Sequence, residues 1–158
     1  MTLGEIEQAI DAQIPALMRG DWTGLSAPPF AGCSLHRSPN GSTVIAVALQ
    51  ADALAALPDS HRWLDLFLLE PHARLGRHYH RHAAAHIRIL AGHGALEVDE
   101  RTKDFAPGDT AFFPAGARHD VSSREEPVLF QSFQNNPIIQ PDGSLDYFTD
   151  EEGQVSPG

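Results

Sequence analysis

The sequence predicts an all-β domain, an antiparallel sandwich or barrel entered through one amphipathic helix. Three observations carry that expectation. From Cys33 onward, short runs rich in β-branched and aromatic residues recur, and Gly, Pro or Asp separates most of them. About eight to ten such runs at regular spacing are what a sandwich or barrel requires. Helical periodicity is strong only at the N-terminus and is nearly absent after residue 60.

Residues 2–19 read as the helix, because Leu3, Ile6, Ile10, Ile14 and Leu17 fall on one stripe. Thr2 with Glu5 fits a capping box, and Pro15 is expected to kink or interrupt the helix near its end. Gly20–Gly32, with Pro28 and Pro29, reads as an irregular connection. Cys33–Arg37 and Ser42–Gln50 flank Ser38-Pro-Asn-Gly41, a good hairpin turn. Asp52–Leu57 allows a helical turn before Pro58. Strands are expected at Trp63–Glu70, His78–His82, His86–Leu90, Ala95–Asp99, Thr110–Phe113, Arg118–Ser122 and Val128–Phe133. Asn136–Gly143 looks like a last turn, and Asp150–Gly158 a loose acidic tail. Residues 1–31 thus form helix and connection, 32–135 the β-barrel, and 136–158 the turn and tail.

Bulk properties narrow the function classes. A chain of 158 residues suits one domain. No run approaches the roughly 18 apolar residues of a membrane span, and the acidic N-terminus lacks the form of a signal peptide. One cysteine, Cys33, permits no internal disulfide, which suits a reducing cytoplasm, and it excludes a Cys-rich structural zinc site. The formal charge of −10 disfavours phosphate backbones and anionic lipid, so neither nucleic acid nor membrane is an expected partner. No Gly-x-Ser-x-Gly signature is present, and Cys33 near His36 lacks an orienting acid.

The histidines carry the functional signal. Nine are present, and six of them (His72, His78, His80, His82, His86 and His93) lie within 22 residues. On a strand His78 and His80 would face the same way, and His119 follows the turn Pro114-Ala-Gly116. Neutral imidazole is a common ligand for divalent transition metals, so three convergent rings can hold an ion with open positions.

Here the chain resembles the cupin superfamily. That family's first motif runs Gly, five residues, His-x-His, three or four residues, Glu, six residues, Gly. It overlays residues 72–92, with His78, His80 and Gly92 in place. The second motif runs Gly, five residues, Pro-x-Gly, two residues, His, three residues, Asn. It overlays residues 108–123, with Gly108, Pro114, Gly116 and His119 in register. The resemblance covers roughly residues 32–133 and implies a jelly-roll barrel, a divalent metal centre on His78, His80 and His119, a small-molecule substrate or ligand, and a homodimer.

Three departures matter: His72 and Ser123 replace a glycine and an asparagine, and Ala85 stands where the family's ligating glutamate would be. The site then resembles cupin dioxygenases that hold Fe(II) with three histidines. Iron is the first expectation, with zinc, nickel or manganese as alternatives. His86 could replace the missing ligand if a bulge shifted its strand. In a regular strand Ala85, Ile87 and Ile89 point inward instead, and His86 and Arg88 outward. Glu97 or Asp99 could also reach the ion. His82 could line the pocket mouth, and His36, His61, His72 and His93 are expected as ordinary surface or core residues. Arg74, Arg77, Arg81, Arg88 and Arg118 read as a solvated face, with a substrate-carboxylate clamp as the alternative.

Three neutral ligands leave the ion's charge uncompensated, which favours an enolate or carboxylate substrate. With iron, open positions would admit substrate and dioxygen together, and oxidative carbon–carbon cleavage of a dicarbonyl or hydroxyketone is the concrete form. Phe130–Asn136 with Pro141-Asp-Gly143 loosely resembles the end of small cupins related to acetylacetone and dihydroxyacetophenone dioxygenases. Similar domains in zinc-binding anti-sigma factors imply the alternative, a metal- or ligand-sensing module without turnover whose partner contact is the N-terminal helix. An isomerase or lyase using the ion only as a Lewis acid is the third reading.

Overall fold

The computed structural model describes residues 1–150 and the backbone of Gly153 and Gln154. Two antiparallel sheets face each other, the jelly-roll barrel expected from the strand spacing. The larger sheet is built from β1 (Cys33–Arg37), β2 (Thr43–Ala48), β3 (Trp63–Leu69), β4 (Ala85–Ala91), β7 (Thr110–Phe113) and β9 (Val128–Gln134), in the order β1-β2-β3-β9-β4-β7. The smaller has β5 (Gly94–Val98), β6 (Arg101–Phe105) and β8 (His119–Ser123), in the order β6-β5-β8. β10 (Phe148–Thr149) pairs with β11 (Gly153–Gln154).

Strand alternation divides the apolar residues between two cores. Ile45, Phe67, Leu69, Ile87, Ile89 and Phe130 point inward and meet Leu96, Phe105 and Val121 of the smaller sheet. The residues between them, including Ala46, Leu64, Leu66, Leu129 and Phe133, form the opposite face of the larger sheet. Ile6, Ile10 and Leu17 of the N-terminal helices cover that face. This explains why every residue of β9 is buried, where one solvated face would leave alternate residues exposed.

The expected N-terminal helix is two helices. α1 (Leu3–Asp11) starts at the Thr2–Glu5 capping box, and α2 (Ile14–Met18) carries Pro15 in its first turn. A proline there lacks only an N–H that would have no helical partner, so the break falls just before it rather than beyond it. Arg88 on β4 reaches out to α1 and pairs with Glu7 at 3.0 Å and Asp11 at 2.9 Å. α3 (Asp52–Ala55) is the expected turn before Pro58.

Three details differ from the sequence expectation. β6 was not foreseen, because Arg101-Thr-Lys-Asp is exposed throughout and only Phe105 turns inward. Asp99 and Glu100, at φ 45° and 71°, make the two-residue turn that leads into it. His78–His82 is not a strand: only the isolated bridges His78–His119 and Tyr79–Phe148 form there. In the expected acidic tail, Asp150 pairs with Arg118 at 2.9 Å and Gly153–Gln154 form β11, while the rest lies outside the described residues. No described helix is long and apolar enough to cross a membrane.

Gly92, between β4 and β5, packs closely against the start of β9. Its φ is 86°, and an added Cβ would lie 2.2 Å from the Pro127 carbonyl oxygen. Gly92→Ala is therefore expected to cost about 3 kcal/mol, from left-handed strain plus overpacking against backbone. Chemical denaturation of the two proteins checks this, and an unchanged midpoint would refute it.

Candidate metal centre

His78, His80 and His119 meet inside the barrel, with one donor nitrogen of each ring within 4.8 Å of the others. All three are buried, at 3, 4 and 3 % exposure. His119 opens β8 just after the Pro114–Gly116 turn and exchanges backbone hydrogen bonds with His78, His78 N to His119 O at 3.0 Å and the reverse at 2.8 Å. The backbone N–H of Gly116 donates to the His80 carbonyl at 2.7 Å, which ties the second histidine to the same turn.

Each ring is held through Nδ1 by a backbone carbonyl. His78 donates to Gly76 O at 2.6 Å, His119 to Ala117 O at 2.9 Å, and His80 to Asp146 O. A carbonyl only accepts, so Nδ1 carries the proton and Nε2 keeps its lone pair. This is the outer hydrogen bonding that orients metal-bound imidazoles. The donor set, three imidazole nitrogens turned toward one another, fits a divalent transition ion.

The site is buried, and burial keeps its histidines neutral. Burial, with His119 and His80 close by, pushes His78 well below the ordinary imidazole range against the pull of the Gly76 carbonyl. Burial and His80 take His119 down to about 3. Burial also lowers His80, against the Asp146 carbonyl. Tyr147 stacks on His78 at 4.0 Å and Phe113 on His119 at 4.2 Å. The adjoining cavity is walled mainly by apolar side chains such as Leu75, Ile87, Phe130, Ile138 and Leu145, and Ser132, His36 and Arg37 also line it.

The other sequence candidates lie elsewhere. His86 faces outward from β4 and stacks on His61 at 4.4 Å, because β4 keeps a regular register through Ala85–Ile89 and no bulge turns the ring inward. Glu97 faces Arg77 at 4.0 Å, and Asp99 accepts the Arg118 backbone N–H at 3.2 Å. His82 and His72 are exposed, and His93 lies 3.9 Å from Glu126. Arg74 pairs with Asp120, Arg81 covers Phe148 at 4.1 Å, and Arg118 covers Tyr79 at 4.0 Å. None of the five arginines singled out in the sequence lines the cavity; Arg37 does, and nothing in its hairpin sequence marked it.

Asp146 is the residue that sequence reasoning missed. Its carboxylate accepts the backbone N–H groups of Arg81, His82 and Ala83 at 2.7, 2.9 and 2.9 Å, and its own carbonyl holds His80. The stretch after residue 135, expected to be only a turn and tail, therefore completes the site.

Two outcomes follow from this geometry. Asp146→Ala leaves three backbone N–H groups without their acceptor and loosens the His80 loop, so metal affinity is expected to fall about 10–100-fold in a chelator competition. The pH dependence has a definite sign. Burial holds all three histidines below their ordinary range, so their contribution to metal-free stability is full above about pH 6.5 and is lost as pH falls. For His119 the loss runs down to about 3. Denaturation midpoints of the chelator-treated protein across that range check it, and a flat profile would contradict it.

Residues 65–132 match the cupin domain family. No match to a curated protein was found. Solved structures give the fold. A predicted oxalate decarboxylase from Thermotoga maritima aligns at TM-score 0.54 and 19% identity, over 65% of this chain and 90% of that one. A cupin-2 domain from Rhodospirillum rubrum aligns at TM-score 0.53 and 21% identity, over 71% and 75%. With a putative sugar phosphate isomerase from Acidithiobacillus ferrooxidans the figures are TM-score 0.44 and 24% identity, over 48% of this chain and about half, 51%, of that one. The matched segment is thus similar to the cupin domain, and the two facing sheets built around it have the cupin double-stranded β-helix fold.

Proposed function

We propose that this cupin is a metal-dependent enzyme acting on a small organic acid or ketone through an ion held by His78, His80 and His119. With iron in the site it would be an Fe(II) oxygenase. The observation that supports it is the set of three neutral imidazoles, each with a free nitrogen, on the wall of a mostly apolar cavity. Structural sites close the coordination sphere with protein ligands, whereas three ligands leave positions open on the cavity side. When bound, a divalent ion supplies Lewis acidity, and iron adds redox chemistry with oxygen.

The chain's own residues set what can reach that ion. Ile87, Phe113, Phe130 and Leu145 exclude water and pack against a carbon skeleton. The Ser132 hydroxyl donates to Gln134 Oε1 at 2.6 Å, so the cavity meets only its lone pairs, which suit a substrate O–H or N–H donor. Arg37 places a cation beside the same cavity and favours an anionic ligand. The sensor alternative needs a free contact surface on the N-terminal helix, but its Ile6 and Ile10 stripe is buried against the barrel.

Elemental analysis of protein purified without added metal, joined to oxygen-uptake assays over diketones and hydroxyacids, tests the reading. Iron with substrate-dependent oxygen loss supports it, and tight zinc without turnover moves it to the sensor. His80→Ala and His119→Ala are each expected to bring metal content to near background, while the exposed His93→Ala keeps the parent value. Equal content in all three variants would rule out the ligand assignment.

A further inference from the structure

Asp65, Asp120 and Asp146 are buried carboxylates of this chain, and their surroundings differ. Asp120 is paired with the Arg74 guanidinium and accepts the Gly76 N–H at 2.9 Å. Asp146 sits in its fork of three backbone N–H groups. Asp65, at 2 % exposure, has a single neutral donor, Gln134 Nε2 at 2.7 Å. No cation among the described residues lies against it. Burial pushes its carboxyl up to about 7 in spite of that hydrogen bond.

Position gives this carboxylate a meaning. Asp65 shares the inner face of β3 with Phe67 and Leu69. Its cross-strand partner is Ser132, and Gln134 lies opposite Ala85 on β4. Ser132 and Ala85 both line the cavity of the three histidines. Asp65 therefore stands one side chain behind the cavity wall. Gln134 cannot turn to offer it more donors, because its Oε1 is committed to the Ser132 hydroxyl. The groups facing Asp65 from β2 and β9, namely Val47, Ser132 and Gln134, carry no charge. The titratable groups on the cavity are His36, His78, His80, His119 and Tyr147, with Arg37 at its edge.

A carboxylate fixed in an apolar interior without an opposite charge is costly, and a divalent ion among neutral imidazoles has the complementary problem. We propose that Asp65 is the buried counter-charge of the metal centre, coupled to the ion through the low-dielectric barrel rather than by coordination. This rests on the reading that His78, His80 and His119 hold a divalent ion. Charges buried inside a barrel are weakly screened, so the coupling needs no contact. Its sign is definite. The raised folded-state value means that stability held below the unfolded carboxylate value, near 4, is lost as pH rises through about 7 in the metal-free protein. An ion in the site offsets that loss.

The test titrates cobalt(II) into chelator-stripped wild type and Asp65→Asn, read by absorbance and by competition with a chromophoric chelator. The metal-free stability of both is measured by chemical denaturation near pH 8. Asp65→Asn is expected to bind cobalt at least about tenfold more weakly while its metal-free form unfolds at higher denaturant. A residue that merely props up the barrel would lose stability and affinity together. Asp65→Val serves the same comparison if the Asn variant does not fold. Cobalt binding by wild type with equal affinity in the variant leaves the three-histidine reading intact and overturns the counter-charge. Joint loss of stability and affinity overturns it as well. Failure of wild type to bind cobalt removes both.

Discussion

The candidate centre depends on three hydrogen bonds from imidazole Nδ1 to backbone carbonyls. Each fixes a proton on the outer nitrogen and leaves the inner one as an acceptor, so a buried histidine becomes a ligand in waiting. Without them the rings could change tautomer and rotate, and each would need some other partner in a dry interior. The carbonyls come from different depths of the chain. Gly76 and Ala117 each lie two residues before the ring they hold, so those bonds belong to local turns. The third spans 66 residues, from His80 to Asp146, and exists only because the chain returns over the barrel after β9.

That difference in range explains what could be read from the sequence. The spacing of His78, His80, Pro114, Gly116 and His119 records local geometry, and the two strands of apolar alternation around it record the barrel. Asp146 left no such trace, because its carbonyl is common to all residues and its carboxylate sits in a stretch that reads as a turn. β6 was invisible for a related reason. It is an edge strand whose outward residues are all polar, so hydrophobic period carries nothing there. The helices covering β9 were half legible: the stripe of Leu3, Ile6 and Ile10 announced a buried face, but not which surface it would cover.

Charge is distributed unevenly between the inside and the outside of this acidic protein. The arginines near the histidine-rich segment are engaged on its exterior, with Asp120, Asp150, Glu97 and the α1 carboxylates, or over aromatic rings. The cavity therefore receives little compensation from the five cations that the sequence made conspicuous. Its histidines are neutral by burial, and its polar contribution is an oriented hydroxyl with an amide and a carboxylate behind it. Apart from Arg37 on its lining and Asp65 behind its wall, such an interior supplies no charge of its own, so an entering ion weighs heavily in its electrostatics.

β4 shows how the fold enforces that arrangement. Ala85, Ile87 and Ile89 face the interior, while His86 and Arg88 face His61 and α1. Side chains alternate strictly along a strand, so a slip of one residue would exchange the two sets and drive a histidine and an arginine into the barrel. The pairing with β9 is continuous from Ala85 to Ile89, and its irregularity falls only beyond, between Ile89 and Ala91. The ring of His86 is thus excluded from the centre by the same register that sets Ala85 opposite Gln134. A methyl group lines the cavity at that position, and across the sheet from it Gln134 links Ser132 and Asp65.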